Sequence, residues 1–188
     1  MGGNVANVST DGGRQALTEK NLYGTGICCM IAITNSAPMA LSHYSSHNGL
    51  GDFYSGDTAC QTVAPSVQHG YLHHHPDGST NGSGGAKIYR IQQGGSKPDI
   101  YVGFAWSIPY ESGVSRCKTN IATSTTGDSP FQCTHLYNDI SNGGPTHHAS
   151  SQAMVNGTIE ISADVTNDST SLLTIDVKYQ PNTPAGDL

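Results

Sequence analysis

Charge is the first thing this 188-residue chain lacks. Asp, Glu, Lys and Arg make up 12% of it, and eight Lys and Arg stand against fourteen Asp and Glu, for a net charge of −6. A protein that neutralises the phosphates of a nucleic acid needs a basic face, and eight scattered cations cannot assemble one. No nucleic-acid partner is therefore expected. The same deficit excludes purely electrostatic attachment to an anionic membrane. No apolar run approaches the ~18 residues of a transmembrane helix. Helix-favouring stretches of Ala, Glu, Lys and Leu are almost absent, while Gly, Ser, Thr and Asn abound. That balance predicts one all-β domain with many turns, long enough to bury a proper core.

Catalytic signatures are lacking as well. There is no Gly-x-Ser-x-Gly elbow and no His-Glu-x-x-His, and the glycine-rich residues 82–85 lack the Lys-Ser/Thr of a phosphate loop. No enzyme activity and no cofactor are expected. The five cysteines, at positions 28, 29, 60, 117 and 133, form no Cys-x-x-Cys pair, which argues against a zinc ribbon. Cys117 and Cys133 flank a polar loop of 15 residues, and a disulfide closing it would contribute about 3 kcal/mol in the chain-entropy model. Cys133 with nearby His135 could instead be a nucleophile, but the disulfide is the preferred use. Cys60 could pair with Cys28 or Cys29. Five reduced thiols remain the alternative. Adjacent Cys28 and Cys29 point to opposite faces of a strand, so at most one is expected to face the core.

The first residues show no charged segment followed by an apolar one, and Ala6 stands where a myristoylation site needs Ser or Thr. Sequons at Asn7, Asn81, Asn156 and Asn167 fit secretion.

What is present is alternation. In residues 99–108, Val102, Phe104, Trp106 and Ile108 alternate with Tyr101, Gly103, Ala105 and Ser107, the period of a half-buried strand. The single Trp lies on its apolar face. The strand stops at Pro109, which cannot donate to a ladder, and Tyr110 follows. A strand ending this way sets a hydroxyl and an aromatic ring at the rim of a sheet.

Other segments read alike. Residues 26–34 form a continuous apolar run that fits a strand buried on both sides. Residues 39–46 make a strand closed by a turn at Asn48-Gly49, and 86–92, 117–123 and 131–137 read as further strands. The pair 157–165 and 171–179 alternates strictly, with Ile159, Ile161, Ala163 and Val165 on one face, answered by Leu173, Ile175, Val177 and Tyr179. Residues 1–13 read as a loose arm, 14–23 as two helical turns at best, and 141–150 as a loop. Eight to ten strands predict a sandwich.

The order of these segments resembles the actinoporin-like superfamily, which includes fungal lectin-like relatives. The resemblance rests on Cys29-Met30-Ile31-Ala32-Ile33-Thr34-Asn35-Ser36, a strand ending at Tyr44 before a glycine turn, and Gly103-Phe104-Ala105-Trp106-Ser107-Ile108-Pro109-Tyr110. Leu136-Tyr137 falls where the family has tyrosines, and the final hairpin falls where it ends. The implied organisation is an arm over 1–23, a single actinoporin-like β-sandwich over 24–180 with at most short helices, and a tail over 181–188.

The implied function is that of a secreted, cytolysin-like toxin or effector binding a phosphocholine-type lipid headgroup on target cells, with oligomers on the membrane. Carried over by position, the pocket would use Ser107, Pro109 and Tyr137, with Tyr110 beside them. Aromatic faces hold a choline and a hydroxyl fixes its phosphate. The family's interfacial aromatics and long N-terminal amphipathic helix have no counterpart in residues 111–116 or 1–23, so pore formation is not expected. The alternative is a lectin-like glycan-binding module without membrane activity.

A third reading comes from histidine. His73 and His75 share one side of a strand and could chelate a metal with His69 or Asp77. The plain alternative is a set of solvent-exposed loop histidines, so no metal site is assigned.

Overall fold

The computed structural model describes residues 11–54, 62–75, 81–110, 113–143, 148–154, 157–168 and 170–182. Two helices, α1 (Asp11–Tyr23) and α2 (Cys133–Ser141), accompany eleven strands: β1 (Cys28–Asn35), β2 (Leu41–Leu50), β3 (Asp52–Phe53), β4 (Thr62–Val63), β5 (Val67–His74), β6 (Ser83–Ile91), β7 (Asp99–Ile108), β8 (Arg116–Ser124), β9 (His148–Met154), β10 (Gly157–Val165) and β11 (Thr170–Pro181). They form a six-stranded sheet, β3-β5-β1-β11-β10-β9, and a five-stranded sheet, β4-β2-β6-β7-β8. Every pairing is antiparallel except β1 with β11. The expected all-β sandwich with only short helices is what the chain forms.

Three apolar layers hold it together. The central one lies between the sheets and takes Val102, Phe104, Trp106 and Ile108 of β7, Ile159, Ile161, Ala163 and Val165 of β10, and Leu173, Ile175 and Val177 of β11. These are the alternation phases legible in the sequence. A second layer lies outside the five-stranded sheet, where Leu136, Tyr137 and Ile140 of α2 cover Ala86, Ile88, Tyr101 and Ala105. A third lies outside the six-stranded sheet, where Ala16 of α1 meets Cys28, Met30, Ala32, Leu72 and Leu172. Strand β7 is consequently buried on both faces rather than half-buried.

Four sequence expectations are corrected. Residues 133–141 are helical, where a strand over 131–137 was expected. Their apolar residues Cys133, Leu136, Tyr137 and Ile140 follow the helical repeat, not alternation. The helix α1 begins at Asp11 and runs 13 residues, longer than two turns. Gly49 lies inside β2 at a register irregularity rather than in a turn, and β9 begins at His148 within the expected loop.

The cysteine pattern is also corrected. Cys28, Cys29, Cys117 and Cys133 are buried free thiols. Cys117 faces the central layer and Cys133 the outer one, so the five-stranded sheet separates them and no bridge can form. Cys28 and Cys29 do point to opposite faces, yet both are buried, because α1 builds a second core over Cys28. Cys60 lies outside the described residues.

The helix α1 adheres through polar contacts more than apolar ones. Gln15 and Glu19 accept hydrogen bonds from the backbone amides of Gly70 (3.2 Å) and Leu72 (2.7 Å). Four helical residues rise about 6 Å and two strand residues about 6.8 Å, so the spacings nearly match. The Gln15 carboxamide oxygen and the Glu19 carboxylate thus satisfy strand amides that β3, two residues long, does not reach. Gly12 in turn donates to Gln68 Oε1 at 2.9 Å. The approach is so close that a Cβ on Gly70 would fall 1.7 Å from the Gly12 carbonyl oxygen.

Substituting Gly70→Ala should lift α1 and destabilise the protein by about 1–3 kcal/mol. Urea unfolding reads the loss, and faster hydrogen exchange confined to 11–23 reads its location. Burial pushes the Cys117 thiol up to about 12 and raises that of Cys133. Iodoacetamide at pH 8 should label neither in the folded protein and both after unfolding without reductant. An unlabelled pair in the unfolded chain would mean a disulfide.

Candidate functional site

The outer face of the five-stranded sheet is paved with glycine where α2 crosses it. A Cβ on Gly49 would lie 2.2 Å from Tyr137 Cε1, and one on Gly84 would lie 2.9 Å from its Cε2 and 3.2 Å from its hydroxyl. Tyr137 therefore lies flat over two strands, 8% exposed. Burial raises the pKa of its phenol. The ring of His47 flanks it, centroids 5.6 Å apart. Lys118 of β8 pairs with Asp139 of α2 and holds that carboxyl below its usual range, pinning the helix to the sheet.

Register extends this patch into a row. Gly84 pairs with Ser107 and Ser107 with Arg116. Directly opposite residues share a face, and Ser107 continues the phase of Tyr101 and Ala105, which lie on the α2 side. Neighbouring strands are ~4.8 Å apart, so a polar row crosses β6, β7 and β8 in roughly 10 Å: bare backbone at Gly84, the hydroxyl of Ser107, the guanidinium of Arg116. Tyr137 overhangs its first member. The hydroxyls of Ser107 and Tyr137 have no hydrogen-bond partner among the described residues.

Ser107 and Tyr137 thus converge although they are thirty positions apart. Pro109 and Tyr110 do not join them. Past the end of β7 the chain turns toward the six-stranded sheet, where Tyr110 stands 42% exposed with its ring 6.3 Å from that of His75. Pro109 sits where Gly82 passes, its carbonyl carbon 3.1 Å from the position of a Gly82 Cβ. The sequence reading missed Arg116, His47, Gly49 and Gly84. Only strand register brings them together, although the alternation of Trp106 and Cys117 toward one side held a clue to the phase of Arg116.

The two metal candidates diverge. His73 points into the central layer, fully buried against Phe53 and Trp106, with ring centroids 4.8 and 5.0 Å away. Its Nδ1 is 2.8 Å from Ser83 Oγ, which itself donates to the His73 carbonyl. His75 lies beyond the end of β5 on the outside, so the two rings cannot share an ion. His69 lies further along β5, and Asp77 is outside the described residues. Among the described residues no three His, Cys, Asp or Glu side chains are grouped to hold a metal.

The family model described as Nakanori-like protein matches residues 7–172. The 23 kDa jasmonate-induced protein of Hordeum vulgare is 32% identical over 95 residues, half of this chain and 44% of its own length. The chain therefore spans less than half of that relative. Among solved structures, the lipid binding protein Nakanori superposes with a TM-score of 0.68 at 16% identity, over 87% of this chain and 76% of that one. The Xerocomus chrysenteron lectin XCL, as a mutant, superposes with a TM-score of 0.51 at 11% identity, over 82% and 99%. At these identities the likenesses establish the fold, and they agree with the resemblance to the actinoporin-like superfamily.

Burial holds His73 far below its ordinary value, at about 3, with His74 and Lys87 adding to the effect. The unfolded chain therefore takes up a proton near pH 6.5 that the folded one refuses. Stability should be full above that pH and fall by about 1.4 kcal/mol per unit as pH drops toward 3. Urea midpoints between pH 7 and 4 read this slope. His73→Asn, which can keep the bond to Ser83, should flatten it, and an unchanged slope would mean that other groups carry it.

Proposed function

The chain belongs to the Nakanori-like protein family, and from that premise we propose that it is a secreted, non-enzymatic recognition protein for a phosphocholine-type lipid headgroup. The observation that carries the reading is the row across β6, β7 and β8 beneath Tyr137. A guanidinium and a hydroxyl on adjacent strands suit a phosphate. The half-buried ring of His47, held beside the buried Tyr137, offers a face to a choline. Glycines at 49 and 84 leave the backbone open beside them. The crystal structure of Nakanori is described as that of a lipid binding protein, which supports a lipid as the ligand class.

In this reading the chain acts at the surface of target cells, as a toxin or effector. No helix among the described residues is long and apolar enough to cross a membrane, and the reading needs none. A glycan is the second reading. Ring faces beside a hydroxyl also suit a sugar, and XCL is a lectin.

Co-sedimentation with phosphatidylcholine vesicles, with and without sphingomyelin, tests the proposal against a glycan panel. We expect vesicle binding that weakens about tenfold in Ser107→Ala and again in Arg116→Gln, the loss of one hydrogen bond to a charged group in each case. Binding to glycans alone would select the second reading. Full vesicle binding by the double variant would remove the row from the site.

A further inference from the structure

A cavity opens at the same end of the sandwich as the Ser107 row but on its other side. It measures about 520 Å³ and is lined by Lys20, Gly24, Thr25, Gly26, Ile27, His75, Tyr110 and Thr170. That volume falls in the range of small-molecule sites. Its walls come from five places in the chain: the last turn of α1, the α1–β1 turn, the end of β5, the residue after Pro109 and the start of β11.

Among the described residues, the lining is rich in donors and holds no carboxylate. Lys20 bonds to the Gly24 carbonyl, which uses one of three ammonium protons. Its Nζ also stands 5.7 Å from the Tyr23 ring centroid. Thr170 Oγ1 accepts only a long contact from Cys28 Sγ, at 3.9 Å, and keeps its own proton to give. The backbone amides of Thr25 and Gly26 donate to no described residue. Gly26, at φ 138°, adopts a conformation open to glycine. A Cβ there would lie 2.7 Å from His75 Nε2 and 2.8 Å from the Tyr23 hydroxyl, so two more polar atoms converge over its backbone. In a chain of net charge −6, the described lining carries a cation, Lys20, and no anion.

We propose that this cavity is an anion site that takes a phosphate group, with the scaffold carrying it laid against Tyr110 and Ile27. It is separate from the row at Ser107 and does not depend on that row binding lipid. Lys20 supplies the charge, His75 and Thr170 supply directed hydrogen bonds, and the glycine turn lets the anion approach the backbone. A phosphate could arrive on a lipid headgroup or on a soluble ester, and the experiment separates the two.

Amide chemical shifts of the ¹⁵N-labelled protein, followed during titration with inorganic phosphate, test the assignment. Saturable shifts confined to residues 24–27, His75 and Thr170 are expected, with an affinity in the millimolar range. Lys20→Gln and His75→Gln should each weaken it about tenfold, while Lys20→Arg, which keeps the charge, should bind nearly as wild type. The Lys20→Arg variant also guards against mere loosening of α1. No saturation, shifts centred on Ser107 and Arg116 instead, or equal affinity in Lys20→Gln and His75→Gln would overturn the proposal. Vesicles of phosphatidylcholine with and without phosphatidic acid form the second arm. Sedimentation that requires phosphatidic acid and is lost in the same variants assigns the phosphate to a lipid. Saturable phosphate binding without it assigns a soluble phosphate ester.

Discussion

How closely α2 can lie on the five-stranded sheet decides most of what this surface presents. Three glycines set that distance. Gly49 and Gly84 leave room for the Tyr137 ring, and Gly103 lies 2.6 Å, measured from where its Cβ would be, from the ring of Phe131. With side chains there, α2 would ride higher and the outer layer would lose its packing. Close packing has a cost in tolerance, because each contact leaves little room for even one methyl group. It also fixes Tyr137 rigidly, which a recognition surface needs if its ring is to hold one orientation.

The other helix solves a different problem. Among the described residues, strand β5 has only a two-residue neighbour on its outer side, and an uncovered edge invites pairing with other chains. Gln15 and Glu19 cap its amides where a strand would otherwise do so. The same helix carries Lys20 and Tyr23 to the end of the sandwich, where Tyr23 stacks near His74 with centroids 4.7 Å apart. Edge protection and the donor-rich cavity therefore depend on one docking event. Strand β7 joins the two sides, because Ser107 faces α2 and Tyr110, three residues on, reaches the α1 side.

Between them the interior is less apolar than a sandwich core needs to be. Lys87 is fully buried, with Nζ 4.2 Å from the Phe53 ring centroid and 4.6 Å from that of Tyr71. Facing an ammonium with two rings recovers part of the cost of removing it from water. His73 Nε2 and Trp106 Nε1 are buried without a hydrogen-bond partner among the described residues. Asn35 is better served, since its side-chain amide donates to the carbonyls of Met39 at 2.8 Å, Val63 at 3.0 Å and Ala64 at 3.2 Å. That single side chain ties the end of β1 to the crossing into the other sheet. His73 and Trp106 lie toward the functional end, whereas Asn35, paired with Val67, lies at the other.

The strands and the face each presents were written in the sequence. Alternation in 99–108, 157–165 and 171–179 fixes them because side chains in a strand point alternately to opposite sides whatever lies beyond. Ser107 was legible for the same reason, as the last outward residue before a proline. Helical residues 133–141 were not, since a nine-residue segment with four apolar positions reads almost equally in either period. Nor could the sequence show that β7 is buried on both faces, that Cys117 and Cys133 are parted by a sheet, or that His73 turns inward while His75 stays out. Those outcomes depend on which sheet packs on which and what covers the outer faces. Tertiary structure alone placed Arg116 beside Ser107, Tyr137 over Gly84, and Lys20 across from Tyr110, because proximity between strands far apart in the chain is set by register and layer packing, which no local pattern encodes.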